Sequence, residues 1–187
     1  KKIFLEDTRY YIEDIRKNIV DQFGFDRVYK KGFAIKTPLN INLQNIATEV
    51  LRKGLIVYDK RKGWRGSLVN KKNSKNWYKD KDLEKFKLEK SINWELAIIK
   101  KIDQFSIDIE TEKKTIGKIN YDNIAWTKKE FNELVDIGDI IYVQKIKKNI
   151  YELKQLPKVN GGIVVMDPFT GRVVALSGGF SFKQSEF

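Results

Sequence analysis

Twelve basic residues fall between positions 60 and 90 against four acids, Asp80, Asp82, Glu84 and Glu89. That stretch alone carries +8 of the chain's net +12. Its cations are interleaved with aromatics: Arg61, Lys62, Trp64, Arg65, Lys71, Lys72, Lys75, Trp77, Tyr78 and Lys79. Such a mixture could hold anionic lipid head groups or an anionic glycan, each basic residue near the surface contributing about 1 kcal/mol. The plainer reading is a solvated loop. Arg61, Lys62, Trp64, Arg65, Lys71, Lys72, Trp77 and Tyr78 are therefore the candidate surface or partner contacts, and none of them is a candidate catalyst or metal ligand.

A second set of aromatics, Trp94, Phe105, Trp126 and Tyr142, could form a stacking platform for single-stranded nucleic acid. The charge opposes it. Residues 92–156 hold equal numbers of acidic and basic residues, and a groove that tracks phosphate should not be neutral. Only seven of the 37 basic residues are arginines, whose planar fork suits specific phosphate and base recognition better than lysine does. Trp94 and Phe105 are expected to point inward and fill a core instead.

The composition closes off other chemistry. There is no cysteine, so disulfides and thiolate sites are excluded, and no histidine, so every Ser-His-Asp or Cys-His arrangement is excluded. At 187 residues the chain has room for one or two domains, and 41% hydrophobic residues suffice for a real core. No apolar run approaches the ~18 residues of a membrane-crossing helix. The chain begins at Lys1 and stops at Phe187 in mid-pattern, as expected of a piece from a longer protein.

The elements that must position these residues follow from periodicity. Ile12, Ile15, Ile19 and Phe23 predict a helix, with Asp7 as N-cap and Gly24 just past its end. A short extended piece over 33–37 precedes Pro38. Leu43, Ile46, Ala47, Val50 and Leu51 predict a second helix capped by Asn40 or Asn42 and ended by Gly54. Both stripes read as core faces. From 58 to 91 the pattern breaks down, with 71–76 reading as a polar loop and Leu83, Phe86 and Leu88 hinting at a short amphipathic piece.

From residue 92 the period becomes two. Strands are expected over 94–99, 105–109, 115–119, 140–146 and 150–156. Thr127-Lys128-Lys129-Glu130 has the form of a capping box opening a helical turn through Phe131 and Leu134. Five short strands with a helix between the third and fourth is the order of an OB-fold, a five-stranded Greek-key barrel. Beyond Pro157, Gly161 to Met166 and Arg172 to Leu176 predict a hairpin around Asp167-Pro168-Phe169-Thr170-Gly171, too small to be stable alone. The fold class expected is α+β, mainly β, in three regions: a helical linker over 1–91 with a basic loop at 60–90, an OB-like barrel over 92–156, and a hairpin over 157–187.

The hairpin carries a resemblance. Gly162-Ile163-Val164-Val165-Met166-Asp167-Pro168-Phe169-Thr170-Gly171-Arg172-Val173-Val174-Ala175-Leu176-Ser177-Gly178-Gly179 resembles the opening strands of the penicillin-binding transpeptidase domain. The segment 180–187 is similar to the approach to the active-site serine in class A penicillin-binding proteins. Upstream, Gly32-Phe33-Ala34-Ile35-Lys36-Thr37, the helix with Leu43-Gln44, and the run from Tyr58 through Asp59 and Trp64 to Gly66 resemble that family's linker. The barrel between them is similar to the insertion of the 1A type.

The resemblance implies a bifunctional, membrane-anchored parent at the periplasmic face of the bacterial inner membrane. A glycosyltransferase would lie upstream and a penicillin-sensitive transpeptidase downstream, with no cofactor. That transpeptidase needs Ser-x-x-Lys, Ser-x-Asn and Lys-Thr-Gly. No serine here has lysine three residues on, Lys-Thr-Gly is absent, and Ser74-Lys75-Asn76 and Ser91-Ile92-Asn93 read as chance matches. Glu6-Asp7-Thr8 superficially resembles a glycosyltransferase motif, but opens a helix. The resemblance therefore implies a non-catalytic linker and barrel. Its partners would be the neighbouring domains and a regulatory lipoprotein or peptidoglycan, with nucleic acid not expected.

Overall fold

The computed structural model describes residues 6–72 and 76–185. The chain divides into two compact units, Ile56–Lys158 and the residues on either side of it. In the flanking unit, a 3-10 turn (Glu6–Thr8) leads into α1 (Arg9–Phe23), and α2 (Phe25–Lys31) follows at once. Gly24 makes this corner with φ +80°, the left-handed half of backbone space, as its expected place beyond the helix end requires. Thr8, not Asp7, occupies the N-cap position, while Asp7 pairs with Arg52 at 3.0 Å.

The third helix, α3 (Ile41–Lys60), is capped by Asn40, whose Oδ1 accepts from the Leu43 amide at 3.2 Å. Two expectations fail on it. Gly54 does not end the helix, because Leu55 and Asp59 continue its buried face past the glycine. Burying them outweighs the roughly 1 kcal/mol a mid-helix glycine costs. The buried line is Gln44, Ala47, Thr48, Leu55 and Asp59, while Ile46 and Val50 stand 56% and 54% exposed. On α1 only Tyr11 is buried, with Ile12 and Phe23 exposed.

Polar matching to a strand edge decides that choice of face. The strands β7 (Ile163–Met166) and β8 (Val173–Ser177) form the expected antiparallel hairpin, pairing Ile163 with Ser177 and Val165 with Ala175. Its turn is tied by Asp167, whose Oδ1 accepts from the Phe169 and Thr170 amides at 2.8 and 3.2 Å. An unpaired β8 edge would leave backbone groups bare. Gln44, fully buried, accepts from the Leu176 amide at 2.9 Å and donates to the Leu176 carbonyl at 3.0 Å. The Asn40 amide takes the Val174 carbonyl, and the Tyr11 hydroxyl donates to the Val173 carbonyl. A short helix, α5 (Phe182–Ser185), closes the unit.

The other unit is a closed barrel. A two-residue strand β1 (Val69–Asn70) precedes β2 (Glu95–Ile102), β3 (Ser106–Thr111), β4 (Ile116–Asn120), β5 (Asp139–Lys147) and β6 (Ile150–Lys154). The sheet order is β1-β5-β2-β3-β4-β6. Pairing of β5 with β6 and a parallel contact of Lys118 with Ile150 close the ring of β2–β6. The helix α4 (Phe131–Leu134) lies between β4 and β5, as an OB-fold requires. Alternate residues fill the interior: Ile99, Ile107, Ile109, Ile119, Ile141, Val143 and Leu153, joined by Phe131 and Leu134.

Several local expectations are corrected here. The capping box does not form: Lys128 turns left-handed at φ +57°, Thr127 Oγ1 accepts from the Lys129 amide, and α4 starts only at Phe131. Neither Trp94 nor Phe105 fills the barrel. Phe105 lies just before β3 and is 78% exposed, while Trp94 packs on the outside.

The larger correction concerns residues 60–90, expected as a loop. A second apolar layer covers the outer face of β2 and β5, built from Trp77, Leu83, Leu96, Ile98, Ile140 and Tyr142. Two 3-10 turns, Trp77–Lys79 and Lys81–Phe86, supply its outer half. Residues 73–75, including Lys75 of the basic stretch and the chance match at Ser74, lie outside the described residues.

Candidate functional site

The eight candidate contacts differ in exposure and in the neighbours that hold them. Arg61 and Lys62 are exposed. Trp64 is half-buried, donates through Nε1 to the Leu134 carbonyl at 2.9 Å, and meets Trp126 edge-to-face at 6.1 Å. Lys71 is held by Asp80 at 2.6 Å, and that hydrogen bond raises its pKa and lowers that of Asp80. Lys72 is exposed, while its backbone crowds Gly138, which sits at φ +92°. A side chain on Gly138 would meet that backbone. Trp77 is 1% exposed and anchors the outer layer. Tyr78 is half-buried, donating to Asn76 Oδ1 at 3.0 Å with Lys114 over its ring at 4.9 Å.

The aromatics proposed as a nucleic-acid platform are dispersed. Trp126 packs with Trp64 against the barrel interior, Trp94 and Tyr142 belong to the outer layer, and Phe105 is exposed. Tyr142 is buried, its hydroxyl donating to the Phe86 carbonyl at 2.6 Å, and burial pushes its phenol pKa up.

Arg65 instead leads to a junction that the charge pattern did not reveal. Its guanidinium donates to Asp59 at 2.9 Å and to the Leu156 carbonyl at 2.7 Å. Asp59 is 2% exposed and also accepts from Gln155 Nε2 at 2.9 Å and from the Lys158 amide at 3.1 Å. Gln155 completes the ring by accepting from the Arg65 amide and donating to the Gly63 carbonyl. A buried carboxylate is tolerated only when its lone pairs are filled this way.

Beside the junction, Glu152 lies between Lys60 at 2.9 Å and Lys154 at 2.7 Å. Burial pushes its pKa up, but the hydrogen bonds from the two lysines outweigh this and hold it below the usual carboxylate value. Lys60 also sits over the Trp126 ring at 5.1 Å. Together these contacts clasp residues 59–65, where the chain enters the barrel unit, to residues 152–158, where it leaves. The signal in the sequence was only the spacing Asp59…Arg65, which acquires meaning once Gln155 is folded against it.

Recesses open on the outer layer among the described residues. One of about 330 Å³ lies by Trp64, Leu68 and Leu156. Another, about 680 Å³, lies by Phe86, Leu88 and Trp94. Among the described residues no cluster of acidic side chains is arranged to hold a metal ion, and no helix is long and apolar enough to cross a membrane.

Comparison with known proteins places these features in a family context. Residues 64–159 match the family described as the penicillin-binding protein OB-like domain. The chain is 32% identical over 183 residues to penicillin-binding protein 1A of Rickettsia bellii, covering 95% of this chain and 23% of that protein. It is 27% identical to penicillin-binding protein 1A of Pseudomonas aeruginosa over the same shares. The crystal structure of penicillin-binding protein 1A from Haemophilus influenzae aligns with a TM-score of 0.76 at 27% identity, covering 95% of this chain and 27% of that one. The chain thus spans about a quarter of the length of the relatives it matches.

Proposed function

We propose, since this chain belongs to the penicillin-binding protein OB-like domain family, that it is the linker and barrel of a bifunctional peptidoglycan synthase of the 1A type. Such a synthase polymerises glycan through a glycosyltransferase and cross-links stem peptides through a penicillin-sensitive transpeptidase. It works at the periplasmic face of the inner membrane. In this reading the role of the 187 residues is non-catalytic. The sequence has no histidine or cysteine and no serine followed three residues later by lysine.

The observation that carries the reading is the junction at Asp59. It fastens the incoming and outgoing chain of the barrel unit to each other through Arg65, Gln155 and Lys158. A unit whose two ends are clasped can be inserted into a longer chain without stretching the segments that flank it. The barrel then serves as a spacer and partner-facing surface for the parent's two active sites, and a regulatory lipoprotein or peptidoglycan is the partner class.

The test is a longer chain extended beyond Phe187 to the natural end of its gene, incubated with fluorescent penicillin beside the present one. Covalent labelling of the long chain alone is expected. A well-folded long chain that contains Ser-x-x-Lys and stays unlabelled would count against the reading. Deleting residues 64–158 from the long chain should change the coupling of the two reactions and leave acylation intact.

A further inference from the structure

Asn160 is followed by Gly161 in the segment between β6 and β7, and no other asparagine of the chain precedes a glycine. From Gln155 to Gly162 the backbone forms neither helix nor strand. Asn160 is exposed. Among the described residues nothing hydrogen-bonds its side-chain amide or the Gly161 backbone nitrogen. Other asparagines are held. Asn18 donates to the Asp14 carbonyl at 2.8 Å, Asn40 accepts from the Leu43 amide, and Asn70 donates to Asp139 at 2.8 Å. Those three precede isoleucine or lysine, whose side chains crowd their own backbone nitrogen.

We propose that Asn160 is a modification site, at which the side chain rearranges spontaneously to aspartate and isoaspartate. The Gly161 nitrogen gives up its proton to hydroxide and attacks Asn160 Cγ, closing a five-membered succinimide ring. The bond from Cγ to Nδ2 breaks, and Nδ2 takes a proton from water and leaves as ammonia, which restores the hydroxide. One further water opens the ring. Cleavage of the new bond between the Gly161 nitrogen and Cγ yields aspartate. Cleavage of the original peptide bond yields isoaspartate, whose main chain runs through Cβ and Cγ. Nothing is oxidised or reduced, and no enzyme or cofactor enters.

Glycine at 161 favours the ring closure for a physical reason. With no Cβ it leaves the nitrogen open and the flanking dihedrals free to reach the attack geometry. A segment with no hydrogen bond to break at either reacting group adds no cost of local opening. Either product turns a neutral amide into a carboxylate, so the net charge of +12 falls by one. Isoaspartate also lengthens the main chain just ahead of β7, where Ile163 begins the pairing with Ser177.

The experiment incubates the folded chain at neutral and at mildly alkaline pH and follows the tryptic peptide 159–172 by tandem mass spectrometry. Replacement of NH by O at Asn160 is expected to accumulate with time, faster at the higher pH because hydroxide creates the attacking anion. A labelled methyl group transferred by isoaspartyl methyltransferase marks the β-linked product, which is expected to exceed aspartate. Gly161→Ala should slow the conversion by about tenfold or more, a barrier higher by roughly 1.4 kcal/mol. This variant is expected to fold, since an added Cβ meets the Leu55 and Leu51 side chains at 3.5 and 3.8 Å, ordinary contact distances. Asn160→Gln, whose ring would have six members, should remove the signal, and it leaves the glycine in place should Gly161→Ala disturb the fold.

Conversion at Asn160 no faster than at Asn18, Asn40 or Asn70 would overturn the proposal. So would a conversion rate that Gly161→Ala leaves unchanged in the folded chain, or a signal that persists in Asn160→Gln.

Discussion

Gln44 pairs with Leu176 as one strand residue pairs with its neighbour, accepting the Leu176 amide at 2.9 Å and donating to its carbonyl at 3.0 Å. The same amide nitrogen donates to the Asp7 carbonyl at 2.9 Å, so a helical side chain stands in for a third strand of the hairpin. Gln44→Leu would keep the volume and strand these buried backbone groups, each worth about 1–3 kcal/mol. A loss of about 2–5 kcal/mol is expected in urea unfolding. Ile46→Ser, on the exposed face of the same helix, should stay within about 0.5 kcal/mol.

Asp59→Ala should open the clasp of the barrel unit. It leaves the Arg65 guanidinium, the Gln155 amide and the Lys158 amide short of an acceptor in a site where the carboxylate is buried. Breaking such a pair from one side costs about 3 kcal/mol. Arg61 and Lys62 lie next to it and are exposed. Limited trypsin digestion should therefore cut there faster in the variant, while an unchanged cleavage rate would argue that the clasp is idle.

Acid should weaken the barrel unit through Glu152. Its carboxyl is depressed in the folded state by Lys154 and Lys60. A depressed carboxyl contributes stability that is fully present above the unfolded value of about 4.3 and lost as pH falls through the lower folded value. Thermal unfolding should be nearly flat from neutral pH down to about 5 and decline below about 4. Glu152→Gln should show a smaller decline over the same range.

Trp77 and Phe105 should exchange the roles their surroundings in the sequence suggest. Trp77 sits in a polar, basic stretch and is buried, so Trp77→Ala should cost about 3–5 kcal/mol. Phe105 begins an alternating strand pattern and is exposed, so Phe105→Ser should change stability by no more than about 0.5 kcal/mol. Melting temperatures of the two variants decide the matter.

These cases mark where the sequence was legible. The barrel strands could be read because alternation is local: Ile107 and Ile109 on β3, Gly117 and Ile119 on β4. The hairpin could be read because Asp167 and Gly171 state their turn within five residues. The outer layer was missed, although a sign was present. Leu96-Ala97-Ile98-Ile99 and Ile140-Ile141-Tyr142-Val143 are unbroken apolar runs, which only strands covered on both faces require.

What covered them lay in Trp77, Leu83 and Phe86, and of these only Leu83 and Phe86, with Leu88, hint at a short amphipathic piece. The helical stripes misled for a different reason. A buried glutamine matched to backbone groups is invisible to a hydrophobic pattern, so the face bearing Gln44 and Thr48 lost out to the face bearing Ile46 and Val50. The junction was legible only in half, since Arg65 and Gln155 are ninety residues apart.

Double coverage of β2 and β5 gives the barrel an uneven clock. On β3 and β4 every second side chain faces water, and small openings there expose few apolar atoms. On β2 and β5 an opening must lift either the interior or the Trp77 layer, so it approaches the free energy of complete unfolding. Deuterium should therefore enter the amides of Ile98, Ile99, Ile140 and Ile141 last. Their exchange in solvent would time the lifetime of the whole unit rather than of any one strand.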